Sequence, residues 1–154
     1  MRRGDCRLFQ SASAGIFLVA TLLAAQAAVA GPAGVSVLDG WIRALPPVVP
    51  SGGYFTLQNK SGKTVILTGA GSPACGMLML HKSDDKGGLS SMADVAEVAV
   101  PAGGKVSFTP GGYHLMCMDS KPSLRPGATV PVTLAFKSGE KLTVSFAVRN
   151  AAGK

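Results

Sequence analysis

Runs of like charge are missing from this chain, as are long helical patterns, a C-x-x-C pair and any dense group of histidines. Charged residues make up only 15% of the sequence and aromatics 6%. The 15 basic residues outnumber the eight acids, for a formal net charge of +7. Yet Lys60, Lys63, Lys82, Lys86, Lys105, Lys121, Lys137 and Lys141 are scattered, with no aromatics interleaved. That spacing describes a solvated basic surface and argues against nucleic-acid binding. It leaves enough positive charge to steer docking onto an acidic partner. No Ser/His/Asp set stands out, and paired-carboxylate catalysis has little to draw on. Asp84-Asp85 falls in a polar stretch and reads as solvated, so no enzyme activity is expected.

A membrane-spanning run is absent too. The longest apolar stretch, 14–30, is Ala-rich and shorter than the about 20 residues a span needs. It follows a basic start with Arg2, Arg3 and Arg7 and ends in Ala28-Val29-Ala30, a small-x-small cleavage pattern. These are the parts of a secretory signal, 1–30, removed on export. No Cys sits at the expected cleavage point, which argues against a lipoprotein. The expected mature chain, 31–154, is long enough to bury a core as a single domain, with its centre over 35–148. It carries two cysteines, Cys75 and Cys117. An oxidising compartment raises the prospect of a disulfide between them.

Short strand-like runs alternate with Gly/Pro/Ser turns along the mature chain. A first strand over 35–44 breaks near Asp39-Gly40. Pro50-Ser51-Gly52-Gly53 reads as loop. Strands follow over 54–59, 64–70 and 76–82, then a polar hairpin-like loop over 83–88. Further strands are expected over 89–95, 97–100, 105–109 and 113–118. The last two, 130–136 and 141–148, join across Lys137-Ser138-Gly139-Glu140, a hairpin signal. About eight short strands with regular turns predict an all-β antiparallel Greek-key sandwich or barrel.

Four metal-binding side chains fall at fixed spacing: His81, Met92, His114 and Met116, as H-x10-M-x21-H-x-M. Thioether sulfur prefers a soft ion and imidazole accepts copper, so the set points to Cu(I) and away from calcium, magnesium or manganese. No carboxylate belongs to the pattern. Alternate residues on a strand share a face. Met77, Met79 and His81 therefore point one way and Leu78 and Leu80 the other. His114, Met116 and Met118 likewise oppose Leu115 and Cys117. Gap-filling in a core is the ordinary role of a methionine. Here, though, the only two histidines of the chain each share a strand face with methionines. If Cys75 keeps the parity of Met77 and Met79, it faces away from Cys117, which disfavours a bridge. Its place after Pro73 at a turn leaves that parity open.

The sequence resembles the periplasmic copper chaperones of the PCu(A)C family, the DUF461 domain. The family signature H(M)-x10-M-x21-H-x-M is matched by His81, Met92, His114 and Met116. Trp41-Ile42-Arg43-Ala44 with Pro46-Pro47 looks like its opening block. Ser72-Pro73-Ala74, Leu80-His81, Pro101-Ala102-Gly103-Gly104 and the run from Pro110-Gly111-Gly112 to Met116 look like its others. The resemblance covers about 35–148. It implies a cupredoxin-like β-sandwich holding one Cu(I), and delivery of copper to the CuA or a related centre of a haem–copper (cytochrome c) oxidase. It also implies a periplasmic location, with an oxidase subunit or another copper chaperone as acceptor; a monomer is expected. Lys82 stands where many members have a second Met, so it is expected to weaken Cu(I) by charge or to leave one fewer sulfur.

Two other readings compete. A blue-copper electron-transfer protein needs a thiolate beside two imidazoles. Cys117 is near His114 in sequence, but parity turns it away and no histidine follows it. A non-catalytic exported sandwich with an accidental pattern would show no stabilisation by copper.

Overall fold

The structure, a computed structural model, describes residues 31–86 and 89–154. The expected signal segment lies outside the described residues. Ten strands run in order: β1 Val35–Arg43, β2 Ser51–Asn59, β3 Val65–Gly71, β4 Met77–Lys86, β5 Leu89–Asp94, β6 Val98–Val100, β7 Lys105–Phe108, β8 Tyr113–Met118, β9 Thr129–Phe136 and β10 Lys141–Arg149. Among the described residues there is no helix. The strands form one sheet in the order β5-β4-β8-β7-β2-β1-β10-β9-β3-β6, with β8 also paired to β2. Its pairings are antiparallel except β1 with β10 and the single bridge from β7 to β8. The sheet curls until residues 68–70 of β3 and 78–80 of β4 line one 380 Å³ cleft.

Alternation explains the core. In β9, Val130, Val132, Leu134 and Phe136 are buried while their neighbours are not. Phe55, Leu57, Leu67, Phe108, Leu115 and Phe146 fill the interior, each less than 4% exposed. Phe55 and Phe108 stack at 4.2 Å between ring centroids. Burying each such side chain contributes about 2–3 kcal/mol. Asn59, wholly buried, donates to the carbonyls of Lys63, Val100 and Pro101. Its own N–H donates to Gly104 O, so the Pro101–Gly104 turn is held by a satisfied buried amide.

Three local expectations differ from the structure. Ser51, Gly52 and Gly53 belong to β2 and pair with Cys117, Met116 and Leu115, instead of forming a loop. A Cβ at Gly53 would stand 3.1 Å from Leu115 Cβ, and one at Gly52 would collide with the Tyr54 hydroxyl. Glycine is therefore present for close packing, not for a turn. The hairpin after β4 is also tighter than expected. Pairing continues through Asp84↔Ser91 to Lys86↔Leu89, so most of 83–88 is strand. Because β5 is the outermost strand of the sheet, polar and charged residues there cost little and discourage pairing with other chains.

The third correction concerns the cysteines. Cys75 and Cys117 form a disulfide, with Cα atoms 5.5 Å apart. The parity argument against it fails because Cys75 precedes β4. It closes a turn with its N–H bonded to Ser72 O, and is buried beneath the sheet. Cys117 does face the core, as its strand predicts.

Candidate metal centre

β4 and β8 pair without a bulge, and the register decides what meets what. Met77 lies opposite Met118, Met79 opposite Met116, and His81 opposite His114. Directly opposed residues share a face, with Cβ atoms about 5 Å apart. The other face of the same two strands carries Leu78, Leu80, Leu115 and Cys117, all buried. On the far side of β4, Met92 of β5 pairs with Ser83, and Asp94 with His81. Parity along β4 puts Ser83 and Met92 on the face of His81. All four side chains expected as ligands thus lie on one face of three adjacent strands. His81 and His114 are buried, 6% and 8% exposed, whereas Met92 is 64% exposed. Met116 is half-buried.

The Thr109–Gly112 turn sets the orientation of His114. Gly111 takes a φ of 81°, which glycine adopts without strain, and Gly112 N–H bonds Thr109 O. The carbonyl of Gly112 then lies 3.1 Å from His114 Nδ1 and also accepts the Ser83 N–H. Assigning the proton to Nδ1 completes that bond and leaves the Nε2 lone pair free for a metal.

His81 differs. Its two ring nitrogens are shielded from solvent, and neither makes an aligned hydrogen bond. Asp94 Oδ1 nevertheless stands 2.7 Å from Nε2. That carboxylate, 81% exposed, is the charged neighbour of Nε2, and Nδ1 has no hydrogen-bond partner. A buried, unpaired ring nitrogen carries a desolvation cost unless something binds it. The two imidazoles face each other with centroids 5.8 Å apart.

Among the described residues no group of three or more His, Cys, Asp and Glu converges as a metal cage. What does converge is imidazole and thioether, a donor set for a soft ion. Asp94 is the residue that reading the sequence missed. It stands two positions after Met92, hence on the same strand face, and that spacing was the available signal. Lys82 faces the other way. Its partner is Tyr113, and its Nζ lies over that ring at 5.6 Å. Both expectations for Lys82 assumed a side chain near the site, and the alternation of β4 turns it to the opposite side.

The same outer face continues across β2, β1 and β10. Tyr54 leans over Gly52, the partner of Met116. Trp41 packs on Tyr54 at 4.7 Å, and the Arg43 and Arg149 guanidinium groups lie over Trp41 at 5.8 and 4.8 Å. The Trp41-Ile42-Arg43 block therefore roofs the sheet beside the His/Met face, while Ile42 is buried in the core.

Fold and face together define an all-β, cupredoxin-like domain with a soft-donor patch at one end of its sheet. The family model described as "Putative lipoprotein LpqE-like" matches residues 35–148, and the chain belongs to this family. A relative in Leifsonia xyli subsp. xyli, "Putative lipoprotein Lxx21020", is 31% identical over 121 residues, covering 78% of this chain and 72% of that protein. Among solved structures, the fold is similar to a copper-bound PCuAC domain from PmoF2. That match has a TM-score of 0.65 and 21% identity, over 79% of this chain and 96% of that one. It is similar also to the solution structure of CuI-DR1885 from Deinococcus radiodurans. There the TM-score is 0.62 at 31% identity, over 77% of this chain and 80% of that one.

Proposed function

We propose that the chain is a periplasmic metallochaperone that carries one Cu(I) on His81, Met92, His114 and Met116. It would pass the ion to the CuA or a related centre of a haem–copper oxidase, directly or through another copper chaperone, and catalyses no reaction itself. One observation carries this reading. The register brings both histidines and two methionines to a single face, where a buried nitrogen of His81 lacks a partner. Relatives that bind copper on the same fold support it, and the lipoprotein names of the family support export.

The geometry suits a carrier. His81 and His114 are buried in the sheet, His114 oriented by the Gly112 carbonyl, while Met92 stands out in solvent. A thioether gives up no proton on binding, so an exposed Met can be exchanged for an acceptor's ligand one contact at a time. Imidazole must be neutral to bind, so acid weakens the site. The blue-copper alternative lacks its thiolate, because Cys117 is bonded to Cys75.

X-ray absorption on the Cu(I)-loaded protein tests the assignment. Mixed nitrogen and sulfur neighbours are expected, and His114→Ala should lower affinity by about a hundredfold. Neighbours of oxygen and nitrogen alone, or an unchanged affinity in His114→Ala, would sink it.

A further inference from the structure

The chain has six methionines. Every one beyond Met1 lies on the face just described, although the four-ligand set uses only Met92 and Met116. Met77, Met79 and Met118 remain. They are not core fillers, because Leu78, Leu80, Leu115 and Cys117 occupy the buried side of the same strands. Met77 is 55% exposed, and Met79 and Met118 are half-buried. Adjacent on one outer face, they form a contiguous apolar patch and not scattered exposure, and such a patch marks a place of interaction.

Register orders the patch. Met77 opposes Met118, and Met79 opposes Met116 in the next outward-facing row, directly below His81 and His114. Four thioethers thus form a two-by-two block that shares Met116 with the His/Met set. Each arm has three rotatable bonds and a polarisable sulfur, so opposed arms about 5 Å apart at Cβ can close on one ion.

We propose that Met77, Met79 and Met118 form a second, all-thioether Cu(I) station, contiguous with the first through Met116. This rests on the Cu(I) reading of the His/Met set. As the ion shifts, Met77, Met79 and Met118 give way to His81, His114 and Met92 while Met116 stays bound; every donor is neutral, so no oxidation state changes and no proton is released. The station is the weaker of the two, since it lacks imidazole and its outermost arm is in solvent. It serves as the place where copper is received before the histidines take it, or held as it leaves.

Anaerobic Cu(I) titration of the full chain carrying ¹³C-methyl methionine reads the five methyl groups beyond Met1 separately. The first equivalent should move Met92 and Met116, and the second Met77, Met79 and Met118. In a Met77→Leu/Met118→Leu variant the second step should weaken by about tenfold or more while the first is unchanged. Methyls of Met77, Met79 and Met118 that stay fixed at two equivalents would overturn the station and leave the first site standing. Movement of all five within the first equivalent, with no second step, would also overturn it. Failure of Met92 and Met116 to move would instead strike the four-ligand assignment itself.

Discussion

The two faces of the β4–β8 pair are made from the same ten or so positions and share almost no chemistry. Inward, Leu78, Leu80, Leu115 and Cys117 are between 0% and 7% exposed and belong to the core. Outward, three cross-strand pairs offer only sulfur and imidazole. A period of two lets a strand pair be apolar glue on one side and a ligand rack on the other. Stability and metal binding are then separable. A substitution on the inner face should reach the site only by moving the backbone, and one on the outer face should leave the core intact.

The strongest attack on that separation removes the disulfide. It joins positions 42 apart in sequence and ties β8 to the turn before β4. Chain-entropy reasoning assigns such a crosslink about 4 kcal/mol, acting through the unfolded state. The Cys75→Ala/Cys117→Ala variant should lose about that much in urea unfolding. The fraction still folded should bind Cu(I) with its original stoichiometry. A folded variant unable to bind copper would show that the inner face sets the ligand geometry after all.

Truncating Leu115 is a gentler probe of the same side. Its side chain is fully buried and sits against Gly53, directly behind the row between His114 and Met116. Leu115→Ala should cost about 3 kcal/mol in thermal or urea unfolding, for lost burial and a residual cavity. Copper affinity should stay within about threefold, since β-ladder hydrogen bonds hold the strand in place. A larger loss of affinity than of stability would mean that core packing tunes the site.

How much of this could be read from the sequence differs between the faces in the same way. Parity within one strand is a local property, so the inward Leu and outward Met/His sets were legible for β4 and β8 separately. Pairing is not local. Nothing in the sequence states that His81 lies opposite His114, or that Met77 meets Met118, because register is fixed by the whole sheet. Local cues misled wherever a tertiary contact overrode them. Gly52-Gly53 resembles a loop but is a place of close approach to Tyr54 and Leu115. Asp84 resembles a loop residue but sits on β4, opposite Ser91 of the edge strand β5. Cys75 belongs to a turn, so strand parity, left open for it in the sequence, does not fix where it faces. Asp94 carries no soft donor to mark it in the sequence, and its contact with His81 is made across the strand pair.

Lys82 gives the smallest expected effect and the sharpest check on alternation. It is covalently next to His81, yet it pairs with Tyr113 and holds its ammonium over that ring. Lys82→Met restores the optional sulfur of the family pattern and removes a positive charge. If facing governs ligation, the new sulfur points away from the His/Met row. Solvent and salt screen the lost charge, because Lys82 is exposed. Cu(I) affinity should then stay within about twofold of the parent. Stability should fall by about 0.5 kcal/mol for the lost cation–π contact, part of it returned by sulfur against the Tyr113 ring. A tenfold gain in affinity would show the strand end twisting enough for position 82 to reach the outer face, and the separation of the two sides would stop short of His81.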